Sequence, residues 1–318
     1  MRGKKGMEFG FAWIFAIVVG AIIIFLAIYS SSRIINVDRN VQDTEIGREI
    51  GILLSPVETN LEDAEKTAII LPGGMRIFNE CDSLGSFGSQ DISVSVKSGI
   101  GSKWQEPGIP STFHNKYIFS ESTIEGKRLE VIAKPFEMPF KVADVIIVIG
   151  EKDYCFVNPP RYVEEEIMSL SIDKINMTSG KGECKSGSVK VCFSGSDCDI
   201  DVALNPVNDK SGSVKRKFVD GVHFEGEALL YGAIFADPGI YECQVKRLMQ
   251  RTSELAGLYL EKSEYLTQKN CGSSLLQPDL IQYSKQTLSV ENSFELAQVE
   301  SSAQEIRRKN ENLDCELF

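Results

Sequence analysis

An uncharged apolar run near the N-terminus limits what this chain can fold into more than any other feature. It covers the 21 residues 9–29 (FGFAWIFAIVVGAIIIFLAIY). As an α-helix rising about 1.5 Å per residue, this run would be about 31 Å long, which matches the hydrocarbon layer of a bilayer. Trp13 and Tyr29 stand near its ends, where amphipathic rings favour the headgroup region. The sequence therefore predicts a transmembrane helix, with the lipid bilayer as a partner.

A cleaved secretory signal peptide is the alternative interpretation of this run. The apolar stretch of such a peptide is usually only about 7–15 residues long and ends at a pair of small residues. The sequence around residues 27–30 (AIYS) has no such pair. We therefore expect the helix to remain on the mature chain.

The cysteines indicate the side of the membrane on which most of the chain lies. All eight follow the apolar run and none precedes it: Cys81, Cys155, Cys184, Cys192, Cys198, Cys243, Cys271 and Cys315. An even number on one side is typical of a disulfide-forming compartment. The basic residues Arg2, Lys4 and Lys5 favour a cytoplasmic N-terminus by a small margin. The sequence predicts a single-pass cell-membrane protein whose bulk is extracytoplasmic.

The composition is that of a folded protein with no nucleic-acid partner. Of the 318 residues, 42% are hydrophobic and 25% are charged, which is sufficient for a packed core. The net charge is -11. An acidic chain offers no extended basic face that could neutralise phosphates.

Residue patterning divides the chain into five segments of an α+β protein. These are a cytoplasmic N-terminus or leader (1–8), the transmembrane helix (9–29), a juxtamembrane helical extension (30–57), a disulfide-containing β-rich extracytoplasmic domain (58–236) and a C-terminal antiparallel helical hairpin (237–318). Apolar residues three or four apart from Ile34 to Leu53 support the extension, and Gly47 and Gly51 oppose it. A stalk that only separates the head from the bilayer is the open alternative.

Within the β-rich segment, short apolar or alternating runs predict strands. The clearest are at residues 92–96, 117–119, 129–132 and 145–149, separated by Gly- and Ser-rich turns. One helix is predicted after Pro160, ending near Leu170.

The C-terminal segment changes to a helical period. Asp237-Pro238 suits a helix start, and an apolar stripe from Tyr241 to Tyr259 follows in steps of three and four. A second helix is predicted after Pro278. The order D-x-G-x-Y-x-C at residues 237–243 also matches the tyrosine corner of immunoglobulin domains, but the polar amphipathic pattern after Cys243 favours a helix start.

Two disulfide pairings follow from this layout. Cys243 lies early in the first predicted helix and Cys315 lies past the end of the second, so the pair would meet in an antiparallel hairpin. Cys192 and Cys198 flank a predicted turn, which would bring their β-carbons within bonding range. Pairing of Cys184 with Cys192 is the competing arrangement.

The candidate metal ligands do not have the spacing of a known site. Asp197, Asp199 and Asp201 resemble the start of a calcium loop, but the required glycine and glutamate are absent further on, so a solvated acidic strand edge is expected. A looser extracellular calcium site is the open alternative. The cysteines of residues 184–198 are too far apart for a zinc site. We expect no metal and no cofactor.

No catalytic motif is present, so the chain is not expected to be an enzyme and no catalytic residue is assigned. Its two histidines offer few general bases, although the abundant carboxylates leave a two-acid hydrolase open as a minor alternative. Asn176-Met177-Thr178 is one glycosylation sequon and makes Asn176 a candidate modification site.

The residues before the apolar run add a family resemblance. Lys4-Lys5-Gly6-Met7 followed by Glu8 resembles the class III signal peptide of archaeal type IV pilin-like proteins, over residues 1–30 only. The resemblance implies cleavage between Gly6 and Met7 by a prepilin peptidase, with Lys5 in the recognised flank. It further implies a long N-terminal helix, half in lipid and half packed on the head. The family usually places its glutamate at the fifth mature position, whereas Glu8 would be the second.

The sequence is compatible with three functions. The favoured one is a pilin-like or cell-surface assembly subunit with a structural role, in which Glu8 orients the helix among other pilin-like subunits. The alternative is a membrane-tethered ectodomain that binds a ligand or partner and does not polymerise. A tethered hydrolase is third.

Overall fold

The structure, a computed structural model, describes residues 11–53, 65–97, 103–193 and 197–318. The predicted processing residues Lys5, Gly6 and Met7 and the predicted assembly residue Glu8 lie outside the described residues. The fold is α+β, as the sequence predicts: an N-terminal apolar helix, two six-stranded sheets and a C-terminal group of packed helices.

Helix α1 extends from Phe11 to Leu53 as one element. Its segment Trp13–Ser31 has a mean hydropathy of 2.6 and none of it is buried by the rest of the chain. By length and composition this segment can cross a membrane. The helix continues beyond the apolar run through Gly47 and Gly51, so the predicted extension is helical as far as Leu53.

The first sheet is mostly antiparallel. Its strands are β1 (Glu65–Asp82), β2 (Ser89–Val96), β3 (Ser111–Phe113), β4 (Tyr117–Phe119), β5 (Thr123–Glu137) and β6 (Lys141–Ile149), in the order β3-β2-β1-β5-β6-β4. Only β4 pairs in parallel, with β6. The β1–β5 register shifts between Ile70 and Met75, and this irregularity spans Pro72 and two glycines.

The second sheet is mixed. Its strands are β7 (Tyr154–Val157), β8 (Ile175–Thr178), β9 (Val189–Cys192), β10 (Ile200–Leu204), β11 (Ser211–Arg216) and β12 (Val222–Glu225), in the order β12-β11-β10-β9-β7-β8. Helix α2 (Arg161–Leu170) connects the parallel strands β7 and β8 and buries Val163 and Ile167. This is the helix that the sequence predicts after Pro160.

Helix α3 (Glu227–Phe235) forms the centre of the main core. Every residue from Ala228 to Phe235 is buried, and the helix contacts strands of both sheets. A Cβ at Gly232 would lie 2.7 Å from the ring of Phe119, so close packing requires glycine there. Sequence patterning does not predict α3 and leaves its residues in the β-rich segment, because a continuously apolar run has no helical period.

The C-terminal segment contains three helices instead of the predicted two. They are α4 (Pro238–Gln268), α5 (Gln277–Leu288) and α6 (Leu296–Asn310). Helices α4 and α5 pack against each other as predicted. Between α5 and α6 the Asn292 side chain accepts a hydrogen bond from the N–H of Phe294, and the Glu295 carboxylate accepts one from the Asn292 amide. These bonds cap the short 3₁₀ turn Ser293–Glu295, which leads directly into α6, so the chain reverses direction here.

Candidate functional site

The end of α1 docks on the first sheet. Gly47 is buried, and a Cβ added to it would lie 3.4 Å from the carbonyl oxygen of Ile92 and 3.7 Å from Val94. Ile46 packs against the apolar cluster on this face of the sheet. Contact with both β2 and β3 makes the helix end part of the head, which a plain stalk would not be.

The other end of α1 is an apolar surface that the described part of the head does not cover. Trp13, Phe25 and Ile28 are between 65% and 69% exposed, and apolar side chains cover all sides of the segment. A helix that is apolar all round is stable only inside lipid or among other apolar helices. This segment therefore needs an environment that the rest of the chain does not supply.

The docked glycine gives a direct test of the junction. Gly47→Ala should be tolerated, because its methyl group fits at van der Waals distance, whereas Gly47→Phe should separate the helix end from β2. We expect Gly47→Phe to increase amide hydrogen exchange in β2 and β3 and to leave β11 and β12 unchanged. Equal amide hydrogen exchange of β2 and β3 in Gly47→Ala and Gly47→Phe would contradict the docking of α1 on the first sheet.

Four disulfides stabilise the head, and all eight cysteines take part in them. The pairs are Cys81–Cys243, Cys155–Cys184, Cys192–Cys198 and Cys271–Cys315. The predicted pairing of Cys192 with Cys198 is present. Because Cys184 bonds to Cys155, its alternative pairing with Cys192 is not. The apolar N-terminal helix and the disulfide-rich head together indicate an extracytoplasmic protein.

The predicted pairing of Cys243 with Cys315 is wrong. That pairing requires one uninterrupted second helix running back along α4. The reversal before α6 instead carries the C-terminus to the far end of α4, where Lys262 donates a hydrogen bond to the carbonyl of Leu317. Cys315 therefore meets Cys271, and Cys243 bonds to Cys81 at the end of β1.

A buried arginine ties α4 to the loops of the first sheet. Arg247 is fully buried, and its guanidinium donates to the carbonyls of Phe87 (3.0 Å), His114 (3.0 Å) and Lys116 (2.8 Å) and to the Gln244 side chain (2.9 Å). Burial lowers its pKa, an effect opposed by Tyr117 and Asp91. This contact set joins three chain segments that are distant in sequence.

A chain of buried amides continues from the arginine into the sheet. The Gln244 amide donates to Gln90, and the Gln90 amide donates to Asn79. Asn79 in turn donates to the hydroxyl of Ser120 at 2.7 Å. Together with the neighbouring Cys81–Cys243 bond, this network holds α4 on the first sheet.

The acidic triplet forms loop contacts. The Asp201 carboxylate accepts the backbone N–H groups of Asp197 and Cys198, and Asp199 accepts the N–H of Lys190. Among the described residues, the group of metal-binding atoms that converges is Cys192, Cys198 and Asp201, and its two sulfurs are joined in a disulfide. The carboxylates thus serve to fix the turn before β10.

An open cleft forms where β5, the β12–α3 junction and α6 meet. We call it the charged cleft; it encloses about 510 Å³ and is lined by 134–137, Asn208, Lys210, 225–228, Glu300, Gln304 and Arg307. The Lys134 ammonium lies 2.5 Å from Glu166 and 3.2 Å from Glu227, and Lys210 lies 2.8 Å from Glu227. Hydrogen bonds from Lys210 and Lys134 outweigh burial and lower the pKa of Glu227.

The α6 side of this cleft carries a carboxyl group whose pKa shifts in the direction opposite to that of Glu227. Glu300 accepts a hydrogen bond from Gln304 at 3.0 Å, and burial raises its pKa, helped by nearby Glu225. Glu225 is itself buried and lies 2.8 Å from Nε2 of His223. Sequence motifs do not predict the cleft, because its residues come from four separated segments with no common pattern.

The sequon residue is accessible. Asn176 is exposed on β8, which is an edge strand of the second sheet, and the Thr178 hydroxyl donates to the carbonyl of Gly180. Modification of Asn176 stays a prediction.

Comparisons with protein families, curated proteins and solved structures give no match to this chain. Its function must therefore be argued from its own geometry.

Proposed function

We propose that this protein is a membrane-anchored extracytoplasmic subunit of a pilin-like surface assembly. In this proposal the apolar part of α1 holds the chain in the bilayer before assembly and packs among the helices of neighbouring copies afterwards. The head faces the exterior, and its role is structural.

The single observation that supports the proposal best is the continuity of α1 from the exposed apolar segment to the docked end. A helix of this kind transmits its orientation to the head, because Gly47 and Ile46 fix its last turns against the first sheet. A flexible tether would not do so. A rigid link between an anchoring helix and a head is what an ordered assembly requires.

The disulfides support the extracytoplasmic part of the proposal. They join residues between 6 and 162 positions apart and leave no free thiol. Such bonds persist in oxidising compartments and protect a head exposed to the exterior.

Leader processing tests the proposal. Coexpression with an archaeal prepilin peptidase should yield a membrane protein whose intact mass shows Met7 as the first residue. Gly6→Val should abolish this cleavage, because the peptidase of this family cuts directly after a glycine. In cells that also supply the assembly machinery of this family, electron microscopy of the surface fraction should then show assemblies for the parent protein and none for Gly6→Val.

Gly3→Val is the matched control, since it alters the other leader glycine and leaves the proposed cleavage point unchanged. It should be processed like the parent. An unprocessed Met1 in cells that cleave a known pilin would contradict the pilin-like role and leave a plain anchor.

A further inference from the structure

We propose that the charged cleft binds a neutral, hydroxyl-rich ligand, namely a short oligosaccharide. The cleft lies on the head, away from the α1 docking face, so this binding function adds to the structural role. Its volume of about 510 Å³ lies within the range of small-molecule sites, roughly 300–1,000 Å³.

The charges of the cleft favour a neutral ligand. Lys134, more than nine-tenths buried, is already neutralised by Glu166 and Glu227, and Lys210 shares Glu227 with it. An anion would have to displace one of these carboxylates and would also meet Glu225. A cation would face Lys134, Lys210 and Arg307. These stand against the lining carboxyl groups Glu137, Glu225, Glu227 and Glu300, of which burial raises the pKa of Glu300, so neither sign of charge gains a large net attraction.

The hydrogen-bonding groups of the cleft match hydroxyl groups. Each sugar hydroxyl both donates and accepts, and it therefore needs donors and acceptors side by side. Arg307 and Gln304 supply donors on α6, next to the Glu300 carboxyl on the same helix. Arg307 is held in place by two hydrogen bonds to the carbonyl of Pro139, at 3.0 and 3.3 Å, so its guanidinium is preorganised.

The Glu300 carboxyl strengthens this match. Burial favours its neutral form, and a neutral carboxyl can donate as well as accept a hydrogen bond. Glu225, which bonds to His223, offers a further acceptor near Glu300.

Blocking the cleft tests the inference. Gln304 is exposed at the rim, and Gln304→Trp would fill the cleft at little cost in stability. The full-length protein in lipid nanodiscs, free of sugar-based detergents, should be titrated with maltotriose, cellotriose and tri-N-acetylchitotriose by calorimetry and saturation-transfer NMR. We expect at least one trisaccharide to bind, and we expect Gln304→Trp to weaken that binding at least tenfold.

Ser301→Trp is the matched control, because Ser301 is also exposed on α6 but lines the groove towards α5. It should bind like the parent, and circular dichroism should show both variants folded. Two results would overturn the inference: no binding of any of the three sugars, or binding that Gln304→Trp leaves unchanged.

Discussion

Replacing Arg247 with methionine should destabilise the head by about 3–5 kcal/mol, because three carbonyls and the Gln244 side chain lose their hydrogen-bond donor at once. Methionine fills much of the volume but donates no hydrogen bond. The carbonyls of Phe87, His114 and Lys116 would then lose this donor, the last in a buried contact and the other two in partly buried contacts. Each unsatisfied carbonyl costs about 1–3 kcal/mol. Thermal unfolding of the full-length protein in nanodiscs should show a midpoint lower by about 10 °C.

Arg251→Met is the control on the same helix, one turn further on. Arg251 is only partly buried, and its Nε donates to one carbonyl, that of Val142, at 2.7 Å. Its loss should cost about 1 kcal/mol, the worth of one ordinary hydrogen bond. Equal midpoints for the two variants would show that the Arg247 contacts do not stabilise the head.

The elements that sequence patterning predicts correctly are those with a strong period or boundary. Asp237-Pro238 marks the start of α4, and the alternation at residues 92–96 lies within β2. Sequence patterning does not predict helix α3, because its eight buried residues leave no polar face to give a helical period.

The wrong prediction of a Cys243–Cys315 disulfide follows from one helix boundary that patterning does not place. The pair Asn292 and Glu295 has the spacing of a capping box, and recognising it would have broken the second predicted helix. With that break, the prediction would place Cys315 near the C-terminal end of α4, close to Cys271. Even so, the bond between Cys81 and Cys243 joins residues 162 positions apart, and no local pattern predicts it.

The two candidate sites differ in how much of them a sequence can predict. The apolar helix is a local feature of consecutive residues, so its length and exposure follow from composition. The charged cleft depends on tertiary packing, because β5 brings Lys134 to Glu166 of α2 and to Glu227 of α3. The spacing of these residues along the sequence does not predict such a site, because they come together only in the folded structure.

Removing the long-range disulfide should have the largest effect among the cysteine variants. The double variant Cys81→Ser/Cys243→Ser opens a loop of 162 residues, and loop-closure entropy predicts a loss of about 5 kcal/mol. The double variant Cys192→Ser/Cys198→Ser opens a loop of only 6 residues, for which the same relation gives about 2 kcal/mol. Thermal unfolding of both full-length variants in nanodiscs measures the difference.

This comparison separates two physical origins of disulfide stability, because they predict opposite orders. Cys192 and Cys198 are almost fully buried, whereas Cys81 is only partly buried, so local packing alone would make the short-range bond the costlier one to lose. Chain entropy makes the long-range bond costlier. A larger midpoint loss for Cys81→Ser/Cys243→Ser would show that this bond acts mainly by restricting the unfolded chain. The opposite order would assign the stability to the packing of Cys192 and Cys198 against Cys155 and Val157.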